Sequence, residues 1–501
     1  MRGIIDIARG SALLAIIVAL ASCSDEAEDD SEPQRGAATS SNARDAGSSD
    51  VATSADGGSV PEPEFGWRSD WFDLFADKKA SRVETTVELT ATPAGIRPTL
   101  FSTRFAAKVK VAAAGAHTFD VTIDDGIRVF VDDKKIIDDW IAGKARSKKA
   151  TVDLTAGEHD VVVEYFQLHG GAQLAFAVSP SFAEIRPAAT SNDGPRPTFA
   201  NPVVPFDCPD PGVMTVPGEH LQWVMVCTGG KMRVRVSDDL VTWRDSPNFI
   251  LPNGKAAWSA NGGRNWAPEI HRVGNEWVAY YTAVNGADVL SIGCAYATNA
   301  TGPFTECAAP LVQDPKGVID ATFFEDTNGK RYLYYKIDGN ATGQPTPIYV
   351  RELAANGRSF AQGSTQKQVL VNDPATWEGG VVEAPWIIKH GNFYYLFYSG
   401  NVYDHRYRTG VARATSPTGP FIKKTGAPIL GNNAKWVGPG HGTVLTVHGK
   451  EIFFHHAWPA LPNGTHDTSK GRYGLIAPIT WKTDWPVLGD GTSFTSPIEW
   501  P

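Results

Sequence analysis

Methionine and cysteine are scarce in this chain, at 4 and 5 of 501 residues. So few cysteines exclude a small, densely cross-linked scaffold, and stability must come from a buried core. No apolar run reaches the roughly 20 residues of a spanning helix; the longest, Ala12 to Ala21, stops well short. No stripe of Lys and Arg occurs and the net charge is −9, which excludes a nucleic-acid partner. Helical periodicity is missing from the ordered part of the chain, so helical repeat arrays are excluded too.

What is present is strand and turn chemistry. With 15 Trp, 14 Tyr, 23 Phe and 42% hydrophobic residues the core can be large, and 49 Gly with 34 Pro supply turns. The length predicts two or three units. Five stretches recur at intervals of roughly 50 to 65 residues, as expected of a β-propeller. They are Pro209-Asp210-Pro211, Ala267-Pro268-Glu269, Ile319-Asp320-Ala321, Val382-Glu383-Ala384 and Pro439-Gly440-His441. Each opens an aromatic-rich strand pattern, and four carry a carboxylate at what reads as one equivalent place. Equivalent blade positions converge on the propeller axis, so distant acidic groups are expected to meet in one pocket.

Residues 1–22 read as an export signal, with Arg2 and Arg9 ahead of the apolar run Ala12 to Ala21. Leu20-Ala21-Ser22-Cys23 resembles the lipobox of bacterial lipoproteins, which implies acylation of Cys23 and attachment to a membrane only through lipid. Ser24 after the cysteine favours the outer membrane or cell surface. Residues 23–63, rich in Ser, Asp, Ala and Gly, cannot bury enough surface to fold and read as a tether. The four remaining cysteines are an even number in an exported chain, and three pairings are open. Cys208–Cys227 and Cys294–Cys307 are preferred, because each pair falls on neighbouring strands of one blade.

Residues 64–184 show short alternating strands with Gly and Asp turns, the pattern of an all-β sandwich or barrel. The segment resembles the PA14 domain through Phe101 to Phe105, Ala114 to Phe119, Ile123 to Asp132, Ile136 to Trp140 and Leu154 to Phe166. In sugar-binding members the pair matching Asp124-Asp125 binds calcium, a hard cation suited to carboxylates. The same residues with Gly126 serve equally as a tight turn, and that reading is preferred. Residues 185–200 read as a linker.

Residues 201–501 resemble the five-bladed glycoside hydrolases of family 43. The likeness is carried by Asp207 to Val213, Ser237 to Trp243, Trp266 to Ile270, Ile319 to Phe324, Val382 to Trp386, Gly438 to Gly442 and Pro478 to Trp481. It implies Asp210 as general base, Glu383 as general acid, and Asp320 as the residue that orients and tunes the acid. Such chemistry needs one protonated and one ionised carboxyl on opposite faces of the sugar, and direct attack by water inverts the anomeric centre. Glu378 and Glu269 are read as structural. The likeness further implies His441 at the axial channel as a site for calcium or waters, and Arg472 contacting a sugar hydroxyl or the acid. Trp266, Phe206 and Trp386 are candidate walls for a sugar ring. No cofactor is needed for the chemistry; calcium would be structural.

The expected protein is therefore a monomeric, lipid-anchored, two-domain all-β hydrolase of plant polysaccharide. Removal of α-L-arabinofuranosyl units is the leading activity, with β-xylosidase and endo-arabinanase as alternatives. A non-catalytic surface carbohydrate-binding protein is the reading from another class.

Overall fold

The computed structural model describes residues 63–501, except 90, 219, 221, 260 and 261. The leader, the tether and Cys23 therefore lie outside the described residues, apart from residue 63. Among the described residues there is no α-helix, and a single helical turn, Asn340–Thr342, interrupts the strands.

The N-terminal unit is a sandwich. One sheet has Phe101–Val111 and Gly157–Gln167 at its centre; the other sets Gly115–Ile123 between Arg146–Leu154 and Leu174–Ser179. Alternation drives this layering: in Gly115–Ile123 the residues His117, Phe119, Val121 and Ile123 are buried and those between them are not. The expected linker begins late. Glu184–Pro187 is a further strand of the sandwich, paired with Phe101–Val111.

Five consecutive antiparallel sheets of four or five strands follow, the blades of a propeller. Their innermost strands are Gly212–Val216, Trp266–Val273, Val318–Glu325, Val382–His390 and Trp436–Val447. The aromatic second strands fill the space between blades, so Trp223, Tyr280, Tyr281, Tyr334, Tyr335 and Tyr395 are fully buried. The structure joins Cys208 to Cys227 within the first blade and Cys294 to Cys307 within the second. Both bridges mark a chain that folds in an oxidising compartment.

The ring is closed by the two ends of the propeller. Thr198–Phe199 pairs with Ile498–Glu499. The Asn201 amide donates to the Ile476 carbonyl at 2.9 Å and accepts from the Ile476 N–H at 2.9 Å, standing in for a strand residue.

The sandwich does not hang free. Leu74, Phe75, Leu100 and Phe166 share one core with Val204, Trp223, Leu240, Val447 and Trp500 of the propeller. Arg97 forms two bonds to the Asp73 carboxylate at 2.9 and 3.0 Å, and His220 of the propeller reaches the same carboxylate at 3.2 Å. Such continuity of apolar packing makes the two units one body rather than beads on a linker.

Removing the Asn201 side chain orphans a buried N–H and a buried carbonyl on the last blade. Asn201→Ala should lower the unfolding free energy by about 2–4 kcal/mol. A urea titration checks this, with loss of cooperativity expected if the ring opens before the blades melt.

Candidate active site

One residue of every blade, in the innermost strand of the second to fifth blades and two residues ahead of it in the first, adopts a left-handed backbone: Asp210 (φ 54°), Ala267 (43°), Asp320 (57°), Ala384 (54°) and His441 (45°). This conformation is unfavourable for any residue with a Cβ, by roughly 1–2 kcal/mol. Its recurrence five times identifies it as the structural repeat. A ladder irregularity accompanies it in the second to fifth blades. The register read from the sequence is thereby corrected. Only Asp210 and Asp320 put a carboxylate at the equivalent place; Glu383 sits one residue before it and Glu269 two after.

Each left-handed residue turns its N–H toward the preceding blade. Asp210 N donates to His456 Nδ1 (3.1 Å), Ala267 N to Thr228 Oγ1 (2.7 Å), Asp320 N to Thr282 Oγ1 (3.3 Å) and His441 N to Ser399 Oγ (2.9 Å). In the fourth blade, Ala384 N donates instead to the Asp320 carboxylate at 3.0 Å. The repeat thus carries Asp320 directly to the peptide that follows Glu383.

A cavity of about 240 Å³ opens at this end of the axis and is lined by Asp210, Asp320 and Glu383 together. His441, Arg472 and Trp266 line it as well, with Tyr403, Lys336, Asp338 and Asn340. Three carboxyl groups from three blades therefore share one space. Phe206 and Trp386 do not line it. Phe206 lies under the Arg235 guanidinium, 4.8 Å from its ring centre, and Trp386 is buried against His271 at 5.6 Å. Trp386 serves packing between blades, whereas Phe206 lies in a loop and stays partly exposed beneath Arg235.

Asp210 sits among cations. Arg472 Nη1 donates to Oδ1 at 2.9 Å, His441 Nδ1 lies 3.3 Å from the same oxygen, and Thr228 donates to Oδ2 at 2.6 Å. Burial alone would raise its pKa, but the Arg472 and His441 charges prevail and hold it well below the usual carboxylate range. Arg472 thus serves Asp210 rather than Glu383. Its loop is anchored by Asp207, which accepts from Arg472 N at 2.8 Å across Gly471. Gly471 has φ 78°, and a Cβ there would lie 2.3 Å from the Asp207 carboxylate.

Asp320 is the opposite case. Burial lifts it to about 7, with His441 opposing and Glu383 reinforcing the rise. Glu383 receives the Lys336 ammonium on Oε2 at 2.8 Å and the Tyr407 hydroxyl on Oε1 at 2.8 Å. Tyr407 reaches in across Gly440, where a Cβ would lie 2.5 Å from its ring. A firmly ionised carboxylate facing two carboxyl groups of different environment can activate water and move a proton to a substrate oxygen.

The expected metal positions fare differently from the carboxylates. His441 is buried, which lowers its affinity for a proton, yet Asp210 raises it to about 9. Its Nδ1 lies 3.3 Å from Asp210 Oδ1 inside the cavity. In the sandwich, the Asp125 oxygens accept from the N–H groups of Gly143 (2.9 Å), Leu168 (2.7 Å) and His169 (3.3 Å). That carboxylate is spent on loops, one of which leads through His169 to Asp239 and Thr242 of the propeller. No cluster of three metal-ligating side chains occurs among the described residues.

Glu378 is buried outside the cavity and bonded to Tyr398, Lys423 and the Asp373 N–H, and Glu269 is bonded to His271 at 2.6 Å. Sequence reasoning missed Lys336, Tyr407, Tyr403 and His456. For Lys336 a signal existed: it is the one cation among Tyr332 to Ile337, the buried and otherwise uncharged part of the strand Arg331–Ile337.

Residues 199–486 match the family model described as glycosyl hydrolases family 43, more than half of the chain. The chain belongs to this family. Residues 55–197 match the PA14 domain. The chain is similar to an extracellular exo-α-(1→5)-L-arabinofuranosidase, ArbA, of Cellvibrio japonicus, 26% identical over 294 residues. That match covers 51% of this chain and 80% of the relative. A β-D-galactofuranosidase, xynD, of Aspergillus niger is 30% identical over 43% of this chain and 62% of its own. Among solved structures, a thermostable family-43 glycoside hydrolase superposes with a TM-score of 0.51 at 26% identity. It covers 58% of this chain and 96% of that one. This protein is accordingly an O-glycosyl hydrolase that acts on polysaccharide or oligosaccharide.

The family 43 site carries a pH signature of its own. With His441 lifted from 6.5 to about 9, its pairing with Asp210 is fully present below pH 6.5. The contribution is lost as pH rises through about 9. In His441→Asn the fall in unfolding free energy across that interval should be shallower than in the wild type. Urea titrations at several pH values measure it, and equal slopes would count against the pair.

Proposed function

We propose that this enzyme removes α-L-arabinofuranosyl units from plant cell-wall polysaccharide with inversion. Asp210 is the general base, Glu383 the general acid and Asp320 the residue that positions and tunes the acid. The observation that carries the reading is the meeting of these three carboxyl groups in one small cavity, with only Asp210 surrounded by cations.

The steps follow from the geometry. Asp210, ionised under all ordinary conditions, takes a proton from a water, whose oxygen attacks the anomeric carbon. Glu383 gives its proton to the departing glycosidic oxygen as that bond breaks. Asp320 holds the Ala384 N–H at 3.0 Å and so fixes the peptide beside Glu383. Burial makes Asp320 the carboxyl that keeps a proton to near neutrality, so it adds little negative charge to the site when the acid must be protonated. Trp266 and Tyr403 offer faces on which the sugar ring packs.

Several features support the finer assignments. A confined cavity suits release of single terminal units, and relatives named for furanosides favour a five-membered sugar. A lipid anchor at Cys23 would place the enzyme on the cell surface, where polymer is met. The tight docking of the PA14 domain, with Asp125 turned to loops, assigns that unit to bracing the propeller.

Asp210→Asn and Glu383→Gln should each lower kcat/KM on arabino-oligosaccharides by about 10²–10⁴. Proton NMR of the first-formed sugar should show the inverted anomer. Retention, or release of xylose in preference to arabinose, would overturn the corresponding part of the proposal.

A further inference from the structure

The five blades offer an internal comparison at the second-strand position that faces the left-handed residue of the next blade. Thr228, Thr282, Ser399 and His456 occupy it in four blades, and each accepts that residue's N–H. In the third blade the position is Lys336, paired with Ile319 in register. An ammonium has no lone pair and cannot take the Ala384 N–H. The Asp320 carboxylate takes it instead.

A lysine here is poor structural economy. Its side chain is 0% exposed, and withdrawing a cation from water costs several kcal/mol before any partner is counted. Three groups surround the ammonium: Glu383 at 2.8 Å, Asp338 at 2.9 Å and Asn340 at 3.0 Å. All three line the catalytic cavity. Asp338 precedes the helical turn Asn340–Thr342 and Asn340 opens it, just beyond the end of the strand Arg331–Ile337. Burial alone would lower the amine's pKa, but the carboxyl groups of Glu383 and Asp338 beside it prevail and raise it.

We propose that Lys336 is a positioning residue for Glu383, clamping one carboxyl oxygen so that the other, held by Tyr407, is presented to the departing glycosidic oxygen. The inference rests on the reading of Glu383 as general acid. A threonine or serine at this place would close the ring as in the other blades but leave the Glu383 side chain without its charged anchor. The break in repeat symmetry falls at the one blade whose neighbour carries the proton donor.

The experiment compares Lys336→Met with wild type on two substrates, an unactivated arabino-oligosaccharide and a dinitrophenyl α-L-arabinofuranoside. The dinitrophenolate departs without protonation, so its release is insensitive to acid placement. Expected is a fall of about 10- to 100-fold in kcat on the oligosaccharide, with KM changed little and the activated substrate nearly unaffected. Adding Lys336→Met to Glu383→Gln should bring no further loss, since both act on one proton transfer. Should Lys336→Met fail to fold, Lys336→Gln keeps the length and a donor without the charge, and the same pattern is required of it. Equal loss on both substrates, or none on either, overturns the role of Lys336. Undiminished cleavage of the oligosaccharide by Glu383→Gln overturns instead the assignment of the acid on which it stands.

Discussion

Everything in the catalytic half depends on one constraint, the closing of five twisted sheets around an axis. Innermost strands crowd there, and each resolves the crowding with a single left-handed residue whose N–H is caught by the blade before it. The contact is local, yet repeated around the ring it fixes where side chains emerge at the axis. Asp210, Asp320 and His441 emerge at this kink itself, and Glu383 one residue ahead of it. The scaffold and the site are therefore the same set of hydrogen bonds viewed from two sides.

Electrostatics then separates groups that geometry has brought together. Asp210 has an arginine, a histidine and a hydroxyl; Asp320 has burial and a backbone N–H; Glu383 has a lysine and a tyrosine. Each environment draws on a neighbouring blade, the fifth for Asp210, the fourth for Asp320 and the third for Glu383, so the division of labour is a property of the ring and not of any strand. Burial raises the stakes, because interactions among these charges are poorly screened at the axis. This is why cations with fixed geometry, Arg472 over Asp207 and Lys336 between Asp338 and Asn340, recur at the site.

The N-terminal sandwich changes meaning on the same grounds. A likeness to sugar-binding relatives suggests a module that grips polymer through two adjacent aspartates. In the folded protein, Asp125 satisfies three backbone N–H groups, and the loop it holds leans on the first blade. A core running from Phe75 to Trp500 joins the sandwich to the propeller.

Strand periodicity, the spacing of the repeats and the aromatic second strands made the all-β architecture and the blade number legible in the chain alone, since these depend on short-range alternation. The pairing of cysteines was legible because each pair falls on neighbouring strands of one blade, whereas Asp210, Asp320 and Glu383 were singled out among the repeats by the resemblance to family 43. The register of Glu383, the exclusion of Phe206 and Trp386 from the cavity, the partnership of Arg472 with Asp210 and the presence of Lys336 were not legible. They turn on which way a side chain leaves a kinked strand and on what a neighbouring blade presents to it. A difference of one residue at such a kink redirects a side chain from a sheet face to the axis, and only the closed ring decides which.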